Sequence, residues 1–246
     1  MVVLLSSMPF ESDRILADLK NLRFSEIAEK KVYRGSLSGI NVILLNTGVG
    51  KINAAHSATI VIENFPVEKI INFGIGGAYP GSGLANGDVA ISSKEILGDE
   101  GVISSKGWEG LEKIGIPLVQ VGRKKYFNEL PINLPGPFVR AIYPQGTAHE
   151  LPLHNHFKVK SGAFVTVSAA SGSTQRAREL EKRFSAICEN MEGAAIAQVC
   201  MIYNIPMFEI RGISNTAGVR EKKRWDIELA SLNCQKAVLE AVASLK

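Results

Sequence analysis

The sequence contains few cysteines and no long apolar run, and each shortage excludes a class of protein. Its 246 residues include three cysteines, Cys188, Cys200 and Cys234, which form neither a CxxC motif nor a metal-binding spacing. An odd number of such thiols argues against a disulfide framework, so we expect a reducing, cytoplasmic location. No stretch approaches the roughly 20 apolar residues of a membrane-spanning helix. The apolar run at residues 2–5 is too short for a signal peptide and lacks a charged leader, so we expect no membrane partner.

An excess of charge of one sign is also lacking. The chain has 28 Lys and Arg against 24 Asp and Glu, a net charge of +4, and its basic residues are scattered apart from small clusters at 123–125 and 220–224. Nucleic-acid-binding proteins usually carry a basic stripe with aromatic residues between the charges, and neither cluster has that pattern. We therefore expect no nucleic-acid partner. The clusters are typical of solvated surface, although a basic edge could attract a small substrate that carries a carboxylate.

Apolar residues are plentiful and follow an alternating strand and helix pattern. They make up 46% of the chain, with a mean hydropathy of +0.09, which fits strands buried on both faces of a sheet. The βα alternation with one β-hairpin insert predicts a single doubly wound α/β domain over residues 1–246. Residues 104–160 hold most of the ten prolines and predict an elaborated loop region. Periodicity predicts strands at 2–6, 32–36, 40–46, 69–73, 89–96, 163–167, 186–190 and 207–213, and helices at 11–22, 52–64, 174–184, 193–203 and 225–245.

Two segments at predicted strand exits carry polar side chains suited to a nucleoside. Residues 190–195 (NMEGAA) place a carboxylate where an apolar run becomes an Ala-rich helix, and residues 211–215 (RGISN) end an apolar strand in a polar tip. Open parallel sheets bind ligands at such strand ends. A Glu can accept two hydrogen bonds from a vicinal diol such as that of ribose, and an Asn amide offers a donor and an acceptor to a purine edge. We therefore expect a small-molecule nucleoside substrate.

Four segments, taken together, resemble a known superfamily. Besides 190–195 and 211–215 they are 47–55 (TGVGKINAA) and 72–84 (NFGIGGAYPGSGL), the latter followed by GDV at 87–89 and GDEGV at 98–102. In this order they resemble the nucleoside phosphorylase/nucleosidase superfamily, on the side of methylthioadenosine/S-adenosylhomocysteine nucleosidase, and within it the futalosine hydrolase family of the alternative menaquinone pathway. The resemblance runs from about residue 1 to 225 and is weakest across 104–160. It implies a three-layer nucleoside phosphorylase-like fold with a mixed central sheet flanked by helices.

The resemblance implies roles for two carboxylates. Glu192 matches the family's Glu that binds the ribose 2′- and 3′-hydroxyls, and Met191 matches the Met that packs under the sugar. Glu11 lies after the first predicted strand, where the family places the base that deprotonates the attacking water, with Asp13 as the alternative. From spacing alone, Glu11 would be interpreted as a helix-N-terminal Glu favoured by the dipole, and Glu192 as a first-turn helix carboxylate.

The Gly-rich segment 74–77 follows a predicted strand, as a phosphate-binding loop would. Its glycines lack GxGxxG spacing and no Walker lysine follows, so they are interpreted as letting the backbone approach a sugar or base closely, or as a tight turn. The resemblance implies that Gly76 and Gly77 form part of the wall around the ribose and the water.

Asn215 departs from the adenine-cleaving nucleosidases, which carry an Asp there. An Asn amide can donate to N7 and to a 6-oxo group but cannot transfer a proton as an acid does, so the departure indicates a 6-oxopurine such as hypoxanthine. The alternative is that Asn215 caps a turn. We expect Ser214 to orient the Asn215 amide, and Arg211 to be a buried structural partner.

The resemblance implies an N-ribosyl hydrolase that needs no cofactor and no metal. Arg14 leaves phosphorolysis open beside hydrolysis by water, and an inosine-like substrate and a non-catalytic nucleoside sensor stay open as well. His149, His154 and His156 have no regular metal-ligand geometry, while Trp108 and Phe157 could line a pocket for the 5′ end of the substrate. Family members associate as dimers or higher homo-oligomers, so we expect association here.

Overall fold

The computed structural model describes residues 1–132, 151–153 and 157–245, which form fifteen strands. Eleven of them join one mixed sheet, while β7 with β8 and β9 with β10 form two small antiparallel pairs. The strands are β1 (Val2–Ser6), β2 (Lys20–Ile27), β3 (Lys30–Leu37), β4 (Ile40–Asn46), β5 (Lys69–Ala78), β6 (Val89–Leu97), β7 (Val102–Ser104), β8 (Gly107–Glu109), β9 (Val119–Val121), β10 (Lys124–Tyr126), β11 (Glu129–Pro131), β12 (Leu151–Leu153), β13 (Phe157–Thr166), β14 (Ala186–Asn190) and β15 (Met207–Thr216).

Helices cover both faces of this sheet. They are α1 (Asp13–Asp18), α2 (Lys51–Asn64), α3 (Thr174–Phe184), α4 (Gly193–Ile202) and α5 (Ile227–Ala243), with 3₁₀ turns at Pro9–Glu11, Leu111–Lys113 and Lys222–Arg224. Side chains alternate along β1 as a strand requires. Val2 and Leu4 pack into the apolar cluster that includes α5, whereas Val3 and Leu5 pack into the cluster that includes α2 and α4. The predicted three-layer arrangement with a mixed central sheet is confirmed.

Five of the strands close into a ring. Strand β5 pairs with β14 on one side and with β15 on the other, β15 also pairs with β6, β6 pairs with β13, and β13 pairs with β14. Closure leaves these strands without a free edge. It also brings the C-terminal ends of β5, β14 and β15 beside the end of β1, which pairs with β5 as well.

The structure corrects three predicted elements. The helix expected over 11–22 is short, because β2 begins at Lys20 and adds a third strand to the hairpin. Gly35 allows this approach, since a Cβ there would lie 2.7 Å from the Lys20 carbonyl oxygen. The glycines at 74–77 lie within β5 and not in a turn, because β14 and β15 pair with them. In the region expected to be a loop, the described residues form short strands, and β13 begins at Phe157.

Other predictions agree closely with the structure. The predicted strands at 2–6 and 186–190 and the predicted helix at 174–184 have the bounds that the structure gives to β1, β14 and α3. The three cysteines are buried and free. None of the helices in the described ranges has the length and apolar character needed to cross a membrane.

Candidate active site

A cavity of about 220 Å³ lies where the C-terminal ends of β1, β5, β14 and β15 meet. It has two ends that differ in chemistry. We call the part around Arg211, Glu192 and Glu11 the arginine end, and the part around Asn215, Gly77 and Glu189 the asparagine end. The structure brings all of the predicted site residues to the wall of this cavity: Glu11, Gly76, Gly77, Met191, Glu192, Ser214 and Asn215.

Arg211 ties the arginine end together. Its side chain is buried, with 1% of the residue exposed, and each of its three nitrogens donates a hydrogen bond. Nε donates to Glu209 Oε1 at 2.7 Å, Nη2 donates to Glu192 Oε2 at 3.1 Å, and Nη1 donates to the Ile75 carbonyl oxygen at 3.0 Å. Burial opposes its charge, but the charges of Glu209, Glu192 and Glu11 outweigh that and raise the pKa of Arg211. The prediction of a buried, paired Arg211 agrees with this geometry.

Glu11 has three internal donors, so one acceptor position is left. Its Oε2 accepts from the Ser7 hydroxyl at 2.7 Å and from the Met8 N–H at 2.8 Å, and its Oε1 accepts from the Ile75 N–H at 2.9 Å. A carboxylate offers about four lone-pair sites, so Oε1 can accept one more donor. Gly74 makes the contact with β5 possible, because a Cβ there would lie 2.5 Å from Glu11 Oε1.

Glu192 lies at the start of α4, and each of its two carboxylate oxygens accepts one hydrogen bond from the protein. Oε1 accepts from the Gly50 N–H at 2.9 Å, Oε2 accepts from Arg211, and each oxygen keeps a free lone pair for a ligand. Asn190 fixes this position, since its Oδ1 accepts from the N–H groups of Glu192 at 2.9 Å and Gly193 at 2.8 Å. The buried Asn190 thus satisfies two N–H groups at the N-terminus of the helix. Asn190 is not among the site residues predicted from the sequence.

At the asparagine end, a β-bulge aims Asn215 into the cavity. The pairing of β15 with β5 runs from Ile213 opposite Gly76 to Asn215 opposite Gly77. Ser214 is therefore the extra residue. Because side chains alternate along a strand, this insertion turns Asn215 to the face it would otherwise leave. The Ser214 hydroxyl lies 2.9 Å from Asn215 Oδ1 and 3.2 Å from the Gly76 carbonyl oxygen, so it contacts the amide that it was predicted to orient.

Glu189 lies on the opposite side of Gly77 from Asn215, and it was not predicted from the sequence to be a site residue. It pairs with Gly77 across β14 and β5, so Glu189, Gly77 and Asn215 form one row across three strands. Glu189 Oε1 accepts from the Ser171 N–H at 2.8 Å, and Oε2 accepts from the Ser171 hydroxyl at 2.6 Å and the Tyr79 hydroxyl at 3.3 Å. Burial, together with the charge of Glu189, raises the pKa of Tyr79. One acceptor position on Oε1 remains.

The two neighbouring glycines differ in what surrounds them. A Cβ on Gly76 would lie 2.7 Å from the Cys188 sulfur, so packing within the chain requires glycine there. A Cβ on Gly77 would meet only ordinary contacts, the nearest being Ala217 Cβ at 3.4 Å. Internal packing therefore does not explain the second glycine. The absence of a side chain at Gly77 leaves open space between Asn215 and Glu189.

Several other predicted residues lie away from the cavity. Asp13 accepts from Gln235 Nε2 at 3.0 Å and, with Arg14, lines a separate groove beside α5. Trp108 stacks against Arg183, whose guanidinium carbon lies 4.6 Å from the ring centroid, and Phe157 packs against the apolar cluster that contains α5. None of these four is among the residues that line the cavity in the described part of the chain. His149, His154 and His156 lie outside the described residues.

The fold and the site define an α/β protein with a carboxylate- and amide-lined cavity for a small polar ligand. The family model described as Phosphorylase superfamily matches residues 1–245. The chain belongs to that superfamily.

Individual relatives agree with this assignment. The chain is 35% identical over 211 residues to a futalosine hydrolase of Thermus thermophilus, covering 86% of this chain and 85% of that protein. It is 29% identical over 245 residues to a 5′-methylthioadenosine/S-adenosylhomocysteine nucleosidase of Halalkalibacterium halodurans, covering 98% and 97%. The structure of the Streptococcus pneumoniae nucleosidase of that name, solved with a transition-state inhibitor, superposes with a TM-score of 0.82 at 23% identity, covering 100% of this chain and 99% of that one. This last likeness shows the fold.

Proposed function

We propose that the protein hydrolyses the N-glycosidic bond of futalosine, giving hypoxanthine and dehypoxanthine futalosine, and that it serves menaquinone biosynthesis by the futalosine route. At a coarser level, the chain is a hydrolase of N-glycosyl bonds of the nucleosidase type, as its relatives are. What the proposal adds is the identity of the base and of the nucleoside. The row formed by Asn215, Gly77 and Glu189 is the observation that carries it.

The hydrogen-bonding edge of a 6-oxopurine is complementary to this row. Hypoxanthine presents N7 and O6 as acceptors, as guanine does, and its N1 carries a proton. Asn215 Nδ2 donates one N–H to the Thr216 carbonyl oxygen at 2.9 Å, which leaves its second N–H for N7 and O6 to share. The free lone pair of Glu189 Oε1 accepts from N1–H. Adenine has an unprotonated N1, which would meet the Glu189 carboxylate as acceptor against acceptor. The open backbone at Gly77 leaves room for the flat ring between the two side chains.

The arginine end supplies the remaining chemistry. In the proposed mechanism Glu192 accepts hydrogen bonds from the ribose 2′- and 3′-hydroxyls, while Met191 packs under the sugar. Hydrogen bonds to an ionised acceptor are the stronger kind, and the carboxylate charge favours the positive charge that develops at the anomeric carbon. The single acceptor position left on Glu11 binds the attacking water and takes its proton. Asn215 stabilises the departing base through N7.

The positions of the arginines favour water over phosphate as the nucleophile. Glu209, Glu192 and the Ile75 carbonyl take three of the five N–H groups of Arg211, and the carboxylates of Glu192 and Glu11 beside it would repel a phosphate anion. Arg14 lines the separate groove. Arg220 does line the cavity, 5.0 Å from the Trp225 ring centroid. A cation beside an aromatic ring suits an aromatic acid, so we assign this edge to the benzoate at the 5′ end of futalosine.

Association into a homodimer or higher homo-oligomer stays part of the proposal. Three apolar side chains on the cavity wall, Met8, Phe10 and Val49, are 39%, 41% and 48% exposed. A neighbouring copy that covered them would close the cavity. Light scattering coupled to size-exclusion chromatography tests this, and a monomer at micromolar concentration would contradict it.

The direct test is release of free hypoxanthine from futalosine and from inosine, each with and without phosphate. We expect rapid release from futalosine, slow release from inosine, and no effect of phosphate. Equal rates for the two nucleosides would favour a general 6-oxopurine nucleosidase, and a requirement for phosphate would favour a phosphorylase. Binding without release by the unaltered protein would favour the sensor.

A further inference from the structure

Two carboxylates lie below the arginine end and have no place in the proposed mechanism. Glu95 on β6 and Glu209 on β15 are both 0% exposed, and their side chains lie within hydrogen-bonding reach of each other. A Cβ on Gly193, the first residue of α4, would collide with the Oε2 atoms of both. The two carboxyl groups therefore occupy the same small space beneath the start of that helix.

A second β-bulge aims Glu95 at this space. The pairing of β13 with β6 passes from Ser92 to Lys94, which makes Ser93 the extra residue. The insertion puts Ser92 and Glu95 on the same face of β6, and antiparallel pairing of β6 with β15 brings that face to Glu209. The groups that face Glu95 are accordingly Glu209, Arg211, the Ser92 hydroxyl and the Cys188 thiol.

The carboxyl groups of Glu95 and Glu209 lie near one cation, Arg211, and have fewer hydrogen-bond donors around them than acceptor oxygens. Arg211 Nε donates to Glu209 Oε1. The Ser92 hydroxyl faces Glu95, but among the described residues no N–H or O–H makes a well-formed hydrogen bond to Glu209 Oε2 or to either oxygen of Glu95. Buried acceptors without a donor are costly, and two ionised carboxylates side by side cannot both be stable in an apolar interior. Burial and, after it, the charge of Glu209 hold the pKa of Glu95 well above its usual range.

We propose that Glu95 is a positioning residue that stays protonated and donates its proton to Glu209 Oε2. This one hydrogen bond satisfies the orphaned oxygen of Glu209 and leaves Oε1 for Arg211. Arg211 in turn holds Glu192 through Nη2 and the Ile75 carbonyl through Nη1, and the Ile75 N–H holds Glu11. A proton deep in the strand ring thus sets the positions of both carboxylates of the active site.

Glu95→Gln separates this role from mere packing, because a Gln amide still donates to Glu209 Oε2 but cannot ionise. We expect Glu95→Gln to keep kcat at neutral pH and to lose the alkaline fall in kcat that the unaltered protein shows as Glu95 gives up its proton. Glu95→Leu removes the donor and should lower kcat about 10- to 100-fold with a smaller change in KM, since a hydrogen bond to a charged group is lost. Glu129→Gln, an exposed carboxylate on the neighbouring β11, is the matched control and should change neither.

Stability gives a readout that does not depend on the proposed activity. A carboxyl whose pKa is raised in the folded state contributes stability that is fully present below its unfolded pKa, near 4.5. That stability is lost as the pH rises through the folded pKa. The melting temperature of the unaltered protein should therefore fall, relative to that of Glu95→Gln, as the pH rises from the unfolded pKa through the folded-state pKa of Glu95.

The infrared band of a protonated carboxyl should be present in the unaltered protein at neutral pH and absent from Glu95→Gln. The inference would be overturned if the two proteins showed the same fall in kcat at alkaline pH and the same dependence of melting temperature on pH. It would also be overturned if the unaltered protein lacked the infrared band. Full kcat in Glu95→Leu would overturn it as well; if that variant does not fold, Glu95→Gln and the infrared spectrum still decide. If the protein released no base from any nucleoside, the proposed function would fail, while the stability and infrared results would still test the shared proton.

Discussion

The arginine end and the asparagine end of the cavity differ in how their polar groups are held. At the arginine end, one buried guanidinium joins residues from β5, β15 and the start of α4 through charged hydrogen bonds. At the asparagine end, a β-bulge and a glycine place an amide and a carboxylate in one row across three strands. Charge fixes the first end, and backbone geometry fixes the second.

This difference divides the proposed reaction into two parts. The arginine end holds the groups assigned to the sugar and the water, so changes there should lower turnover with any nucleoside. The asparagine end holds the groups assigned to the base, so changes there should alter which base is accepted. Variants at the two ends should therefore separate turnover from preference.

The largest effect is expected for Glu11→Gln at the arginine end. The amide cannot take a proton from water, and loss of a general base lowers kcat by about 10²- to 10⁴-fold. KM should change little, because Glu11 is assigned to the water and not to the nucleoside. Steady-state kinetics with Glu26→Gln, an exposed carboxylate on β2, as control measures both constants. Unchanged turnover would remove Glu11 from the mechanism.

Asn215→Asp should shift base preference at the asparagine end. A carboxylate repels O6 of hypoxanthine and accepts from the 6-amino group of adenine, so the ratio of kcat/KM for futalosine to that for methylthioadenosine should fall about 10- to 100-fold. Hydrolysis of both nucleosides by one preparation measures it. If the 6-oxo preference survived intact, Asn215 would not be the base reader.

The adjacent glycines offer a paired test. Gly77→Ala should fold normally, since its Cβ meets ordinary contacts, but the methyl group enters the space assigned to the base and should raise KM about tenfold. Gly76→Ala should instead lose stability, on the order of 1–3 kcal/mol, because its Cβ collides with the Cys188 sulfur. Chemical denaturation and KM measured on both variants check this. A normal KM for Gly77→Ala would show that the base does not bind beside Gly77.

The smallest effect is expected for Glu189→Gln. The Gln carbonyl still accepts from N1–H but without charge, so kcat/KM for futalosine should fall about three- to tenfold. Discrimination against methylthioadenosine should weaken with it, because the amide can donate to an unprotonated N1. An effect confined to stability would limit Glu189 to its contacts with Ser171 and Tyr79.

Local patterns in the sequence predicted the elements whose signals are local. Strand β1 is a short apolar run, and Ser173 caps α3 directly before its first residue, with Ser173 Oγ accepting from the Arg176 N–H at 3.2 Å. Strand β2 was missed because it is mostly exposed and exists through its pairing with β3. A tight turn was one of the two interpretations of the glycines at 74–77 for a similar reason, since only the pairing with β14 and β15 makes them a strand.

The site was predicted to the extent that resemblance and residue chemistry allowed. Glu192, Glu11 and Asn215 were singled out as polar residues at strand exits, and the structure places all three on the cavity wall. Glu189 and Glu95 lie within apolar strands, where a charged residue usually faces solvent. Their inward positions depend on ring closure and, for Glu95, on a bulge, neither of which has a signal in the local sequence.

The most direct test of this account compares the kcat/KM of the unaltered protein for futalosine with that for methylthioadenosine. The row formed by Asn215, Gly77 and Glu189 predicts clear preference for futalosine, with hypoxanthine as the released base. Faster release of adenine from methylthioadenosine would contradict the account, because the asparagine end would then not be reading a 6-oxopurine.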